Sequence, residues 1–468
     1  MLYRLCGPAL LLLAGCAHVT TECATHGGPE WAELTSMHFV VRTDLPADEA
    51  KATVEQLEHV RTAILPALLG VPFQEQPLEV VVLRGKAPVA PDALADGLFV
   101  RDWRGPVLVL EGDTSLLDAR SRLSVLAHEL SHHYSGRALQ RRPRWLSEGL
   151  AAYLETLSLD RSARQAIRGR ANQDRLADVE RWGLLPIESL WAWDELHDER
   201  PGLEQHRLAS AWFWVHYLFN EQRPRLERFF AALGEGLEPR AAWGRVFAEL
   251  PPEKLGAAAD AWVAKRELRT QRIELSDVAV TARRLPDAQV HAVLARVAAA
   301  TGAWERAKQE VSSAEALAPE DALVQEQAVV NATPQTRLSR ARGLVDARPT
   351  LGGAWALLAL SLPASDERAA ALARAVELDP TLFVAQTELA RARCLAGACQ
   401  DGVALAEKAL AAAPDDVRAL TSVAAVFSLA GQCERARAVQ QHAFEVLPHG
   451  ASGALRTKLE QARARLCN

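Results

Sequence analysis

The residues best equipped for chemistry lie close together in this 468-residue chain. Ala127-His128-Glu129-Leu130-Ser131-His132 falls inside an apolar-periodic stretch, about 115–135, that reads as a helix. Residues i and i+4 of a helix share one face, a turn apart. The imidazoles of His128 and His132 can therefore reach one divalent cation at the roughly 2.0–2.1 Å of zinc–nitrogen bonds. Glu129, one position over, stands beside that cation without ligating it, where a carboxylate can accept a proton from water.

The spacing His-Glu-x-x-His resembles the zincin metallopeptidases. Beyond His132 comes Trp145-Leu146-Ser147-Glu148-Gly149-Leu150-Ala151-Ala152-Tyr153, on a second helical pattern at about 144–157, with Glu148 sixteen residues after His132. This segment resembles the glutamate helix of the gluzincins. The resemblance implies that Glu148 is the third ligand of a Zn2+ ion, with a fourth position open to water, as in a catalytic site. It also implies an activity: hydrolysis of peptide bonds. The metal would polarise the carbonyl and acidify water, and Glu129 as general base would pass the proton to the leaving amine. Thermolysin-like gluzincins place an Asp four residues after the ligand Glu, where it orients a ligand His; this chain has Ala152 there, so the groups that fix the imidazoles must come from elsewhere.

A donor for the developing oxyanion is also needed, and Tyr153, His216 and Tyr217 are the candidates. Tyr153 reads first as a helix residue packing behind Glu148, and His216 as a core histidine within the aromatic run 212–219. His133 points off the metal face. Arg137, Arg141, Arg142 and Arg144 read as a solvated loop flanking the site.

The elements that must position these groups follow from the apolar pattern. Runs at 38–43 and 78–83 are β-rich, 47–65 is an amphipathic helix, and 97–110 reads as a hairpin turning at 102–106. Zincins keep an edge strand at that hairpin, which can pair with an extended peptide. From 160 to 270 the pattern is helical. The order is α+β; residues 31–275 resemble the peptidase-MA-like domains of bacterial proteins, which implies a zincin-like metallopeptidase domain.

Beyond 288 the chain repeats. Gly397 and Gly431 are 34 apart, as are Pro414 and Pro448; Gly302, like the other two, precedes a Pro by 17. Pro349 and Pro380 follow at the shorter intervals of 30 and 31. The pattern resembles the tetratricopeptide repeat, an all-α solenoid of stacked helix pairs over 288–468 with a capping helix from 451. A generic Ala/Leu-rich helical bundle is the alternative.

At the N-terminus, one Arg, a short apolar run and Leu13-Ala14-Gly15-Cys16 resemble a bacterial lipoprotein signal, residues 1–15, with lipidation expected at Cys16 and a tether at 16–30. Ala17, rather than Asp, favours the outer membrane. The alternative is an ordinary secretory signal. Of the seven cysteines, Cys23, Cys394, Cys399, Cys433 and Cys467 remain available for disulfides; Cys394 and Cys399 are near enough to bridge, but pairing is not deducible. A net charge of −6 gives no nucleic-acid footprint. Two functions compete: a zinc peptidase whose repeats recruit substrate or a partner, and a non-catalytic, membrane-anchored adaptor that binds proteins through the repeats.

Overall fold

Strand β3 (Leu78–Leu83) is nearly all apolar because it is buried on both faces. It lies between β2 (Phe39–Thr43) and β5 (Pro106–Glu111), parallel to both. Antiparallel β1 (Trp31–Thr35) and β4 (Gly97–Arg101) extend the sheet, and β9 (Thr281–Leu285) completes the order β4-β5-β3-β2-β1-β9. The computed structural model describes residues 23–24, 28–73, 75–84, 97–111, 119–193, 202–265, 267–447 and 453–467. The signal segment and Cys16 lie outside the described residues.

Period-two alternation sends Val80 and Val82 to one face and Val81 and Leu83 to the other. The first face carries α1 (Ala47–Ile64), α2 (Ala119–Leu139) and α3 (Arg144–Leu154). The same core continues through a helical layer: α4 (Gln173–Trp182), α5 (Ile187–Trp191), α6 (Leu203–Glu221), α7 (Arg223–Gly234), α8 (Pro239–Phe247) and α9 (Pro252–Lys265).

Two features depart from the sequence pattern. A small sheet of β6 (Ser158–Asp160), β7 (Gln165–Arg168) and β8 (Gln271–Glu274) interrupts the stretch expected to be helical. Its strands are only three or four residues long and its first turn is held by Asp160, which accepts from Ser162 and Ala163. Such short segments carry too few periods to register against helix. The main sheet also reaches past residue 275, because β9 pairs with β1 from Trp31↔Leu285 to Thr35↔Thr281.

The rest of the chain is helix pairs: α10 (Asp287–Ala300) with α11 (Trp304–Leu317), α12 (Ala322–Val330) with α13 (Pro334–Ala347), α14 (Gly352–Ser361) with α15 (Asp366–Leu378), α16 (Phe383–Leu395) with α17 (Cys399–Ala412), and α18 (Val417–Leu429) with α19 (Cys433–Glu445). A last helix, α20 (Gly453–Ala464), follows. Gly302, Gly397 and Gly431 adopt φ of +82°, +88° and +73° at the turns within the first, fourth and fifth pairs, a conformation glycine enters without strain. The second and third pairs turn without such a glycine, and their first helices are only 9 and 10 residues long. That shortening accounts for the compressed proline intervals. Disulfides join Cys394 to Cys399 and Cys433 to Cys467, the second tying the final segment to α19.

The two regions share buried surface. Val290, Val293, Leu294 and Val297 of α10 pack on the second face of the main sheet. The turn between β4 and β5 enters the repeats: Trp103 is buried among repeat residues and lies against Gly353. Arg104 pairs with Glu326 of α12. Arg296 of α10 donates to Asp102 at 2.5 Å and to Glu79 at 2.6 Å. Arg418 of α18 donates to the carbonyls of Arg101 and Asp102. These residues all come from the first helix of a pair, so that side of the stack faces the sheet.

Candidate metal centre

Helix α2 presses Leu123, Leu126, Ala127, Leu130, Tyr134 and Ala138 into the core. His128 and His132 fall on the flank of that apolar stripe and are half-buried. Helix α3 buries Trp145, Leu146, Gly149, Leu150, Ala152 and Tyr153, which leaves Ser147 and Glu148 facing α2. Gly149 allows the close crossing of α3 over α6: a Cβ there would sit 2.7 Å from both the Ala211 carbonyl oxygen and Val215 Cγ2.

The structure brings His128, His132 and Glu148 together, one ligand atom from each lying within 4.8 Å of the others. Nε2 of His128 is 3.1 Å from Nε2 of His132, and His132 Nε2 is 3.9 Å from a Glu148 oxygen. Two nitrogens on a tetrahedral zinc ion would be about 3.3–3.4 Å apart. The imidazole pair fits such an ion, and the Glu148 oxygen at 3.9 Å stands slightly outside that spacing.

Each imidazole is oriented through its other nitrogen. His128 Nδ1 is 2.8 Å from Glu155, a carboxylate in turn gripped by Arg175 at 2.9 Å through both oxygens. His132 Nδ1 is 3.0 Å from the Ser147 hydroxyl, which accepts from Arg142 Nε at 3.1 Å. Both Nε2 atoms are thereby aimed at the shared space, the arrangement that metal-binding histidines need. Glu155 lies three residues beyond Ala152, just past the end of α3.

The two imidazoles differ in their electrostatics. Burial opposes a proton on His128, but the hydrogen bond and charge of Glu155, with the charges of Glu148 and Glu129, outweigh it and raise its pKa. Burial, then the charges of His128 and Arg142, hold His132 well below the usual histidine range. Burial and the neighbouring Glu148 raise Glu129, against the pull of His128. A carboxyl raised in this way is a stronger base than an exposed one.

The three candidates for oxyanion stabilisation are placed in the core instead. Tyr153 stacks on Phe219 at 4.9 Å with its hydroxyl beside Gly169. His216 is fully buried between Tyr153 and Trp212, and both its ring nitrogens lack a hydrogen-bond partner among the described residues. Burial pushes its pKa down to about 3. Tyr217 packs between Trp214 and Trp262 and accepts from Gln222. His216 and Tyr217 belong to the aromatic run of α6, and Tyr153 of α3 packs against that run through His216 and Phe219.

The arginine loop is not simply solvated. Arg142 is buried, donating to the His132 carbonyl at 3.2 Å and to Asp415 of the repeats at 2.8 Å. His133 stacks flat on Phe99 of β4, centroids 5.4 Å apart, and ties α2 to the strand at the end of the sheet. Sequence reasoning missed Glu155, Ser147, Arg142, Arg175 and Asp415. Only Glu155 left a local signal, two helical turns beyond Glu148.

Residues 123–237, which contain the triad, match a family model described as "Protein of unknown function (DUF1570)". No curated protein matches the chain. Solved structures similar to it include a thermophilic TPR protein of Thermus thermophilus, at 18% identity, covering 37% of this chain and 98% of that one with a TM-score of 0.32. YrrB, described as a TPR protein with an unusual peptide-binding site, is 16% identical over 37% of this chain and 92% of its own, TM-score 0.26. MamA is 16% identical over 34% of this chain and 91% of its own, TM-score 0.26. By its own order of elements, the chain is a mostly helical protein with a small sheet in its N-terminal region and tetratricopeptide-like helical repeats after it.

Proposed function

We propose that the chain is a zinc-dependent peptidase of the gluzincin type. The observation that supports this best is the convergence of His128, His132 and Glu148 with both imidazoles oriented from outside and Glu129 alongside. A zinc ion held by the three would supply a Lewis acid for a peptide carbonyl and acidify water. Glu155 and Ser147 hold the two rings in place. Glu129 would take a proton from the attacking water and deliver it to the leaving amine. On this reading Cys16 anchors the protein to the bacterial envelope, and a Cys16→Ala variant loses its partition into detergent.

Cleavage of a peptide library tests the reading. Glu129→Gln should keep zinc and lose about 100- to 10,000-fold in rate, the range for a positioned general base. Identical product profiles from wild type and Glu129→Gln would exclude peptidase action through this site.

A membrane-anchored adaptor is the second reading, and one observation favours it. The repeats expose large apolar side chains, Trp304, Leu317, Leu395 and Leu429. An adaptor would bind a protein partner through these surfaces with Glu129→Gln unchanged in every assay.

A further inference from the structure

We infer that the repeat region completes the metal centre, with Asp415 acting from the repeats as a positioning residue for His132. The inference rests on the zinc reading above. It would make the peptidase site a product of both regions rather than of the first alone.

Asp415 lies in the short connection between α17 and α18, next to the proline that ends the repeat. Its neighbour Asp416 is occupied in capping α18, accepting from the Arg418 and Ala419 amides. Asp415 is left to reach outward. Its Oδ2 accepts from Arg142 Nη1 at 2.8 Å, and its Oδ1 lies 3.2 Å from His442 Nε2 of α19. Room for it comes from Gly136 on the metal helix: a Cβ there would stand 2.1 Å from Asp415 Oδ2 and 2.7 Å from Arg142 Nη1.

Among the described residues, the other hydrogen bonds of Arg142 go to the His132 backbone and to the hydroxyl that meets its ring. Nη2 donates to the backbone carbonyl of His132 at 3.2 Å, and Nε donates at 3.1 Å to the Ser147 hydroxyl that meets His132 Nδ1. A planar guanidinium fixes these directions together. Asp415 supplies the counter-charge that keeps this buried cation in place; without it Arg142 is an uncompensated charge that turns toward water. Both of its bonds around His132 would loosen at once.

The other contacts between the regions do not touch this relay. Among the described residues, the Arg418 guanidinium donates to the hairpin carbonyls of Arg101 and Asp102 and lies 3.8 Å from an Asp416 oxygen. It is therefore a control for docking as such.

The test uses the full-length protein stripped of metal, titrated with Zn2+ against a chromophoric chelator and with Co2+ followed by its visible absorption. Asp415→Asn should weaken Zn2+ binding by roughly 3- to 10-fold, less than the 10- to 100-fold of groups bonded directly to a ligand because Asp415 acts through Arg142, and shift the Co2+ bands. Arg418→Ala should leave both readouts unchanged. Gly136→Ala, which crowds Asp415 from the metal helix, is the second variant and should reproduce the loss should Asp415→Asn fold poorly. Wild-type affinity and wild-type Co2+ bands in both Asp415→Asn and Gly136→Ala overturn the inference, and so does an equal loss in Arg418→Ala. Wild type binding no more Zn2+ than His128→Ala sinks the zinc reading itself, and this inference with it.

Discussion

Replacing Gly149 by Ala sets two calculable effects against each other. In a helix interior the change should be favourable by about 1 kcal/mol, because Gly gives up more backbone freedom than Ala. The packing of α3 on α6 opposes it. The new Cβ would lie 2.7 Å from the Ala211 carbonyl oxygen, where ordinary contact begins at 3.4 Å, so the helices must part by about 0.7 Å. Neither neighbour yields easily. The oxygen belongs to helix backbone, and Val215, β-branched in a helix, is held in one rotamer. Overpacking of this kind costs about 1–3 kcal/mol. The balance runs from neutral to a destabilisation of about 2 kcal/mol, a fall in Tm of up to about 8 °C for a region of this size. Glu148, one residue away, should shift relative to the imidazoles and weaken Zn2+ binding about tenfold. Thermal denaturation with and without zinc, and chelator competition, measure the two effects. A Gly149→Ala protein more stable than wild type, with undiminished zinc affinity, would refute the argument that α3 is set by this contact.

Other outcomes follow from the same geometry. Glu155→Gln removes the anionic partner of His128 Nδ1 and strands Arg175, and should cost about 10- to 100-fold in Zn2+ affinity; competition titration with unchanged affinity would mean Glu155 does not orient the ring. His216, at about 3 when folded and near 6.5 when unfolded, takes up its proton only in the unfolded chain as pH falls below 6.5. It therefore adds nothing above that pH and removes about 1.4 kcal/mol per pH unit between 6.5 and 3. Urea unfolding of wild type and His216→Phe at pH 7.5 and 5.0 should show the variant gaining about 2 kcal/mol relative to wild type at the lower pH; a gap that does not change with pH removes the claim. Opening the Cys433–Cys467 bridge, which spans 34 residues, in a Cys433→Ser/Cys467→Ser double variant should loosen α20 by up to about 3–4 kcal/mol. Limited proteolysis should then cut first in α20, and an unchanged cleavage order would show that packing alone holds it.

The sequence by itself determined the features that local rules govern. His128 and His132 share a face because helices have a fixed pitch. The strand at 78–83 was legible as a near-continuous β-branched run, and the repeats from a glycine that recurs wherever a left-handed turn is needed. The small sheet of β6, β7 and β8 was not legible, because its strands are a few residues long and β8 comes from about a hundred residues further along the chain.

Only the tertiary structure decided what surrounds the imidazoles. Glu155 meets His128 because α3 crosses α2 at one angle, and that angle depends on Gly149 resting against the backbone of α6. Asp415 meets Arg142 across a sequence separation of 273, through a docking that buries Trp103 among the repeats. Tyr153, His216 and Tyr217 had suitable chemistry for a reacting site but were drawn inward by the aromatic residues beside them. A sequence records which groups can bond. Which of them meet depends on how apolar faces pack over long separations, and no local pattern carries that information.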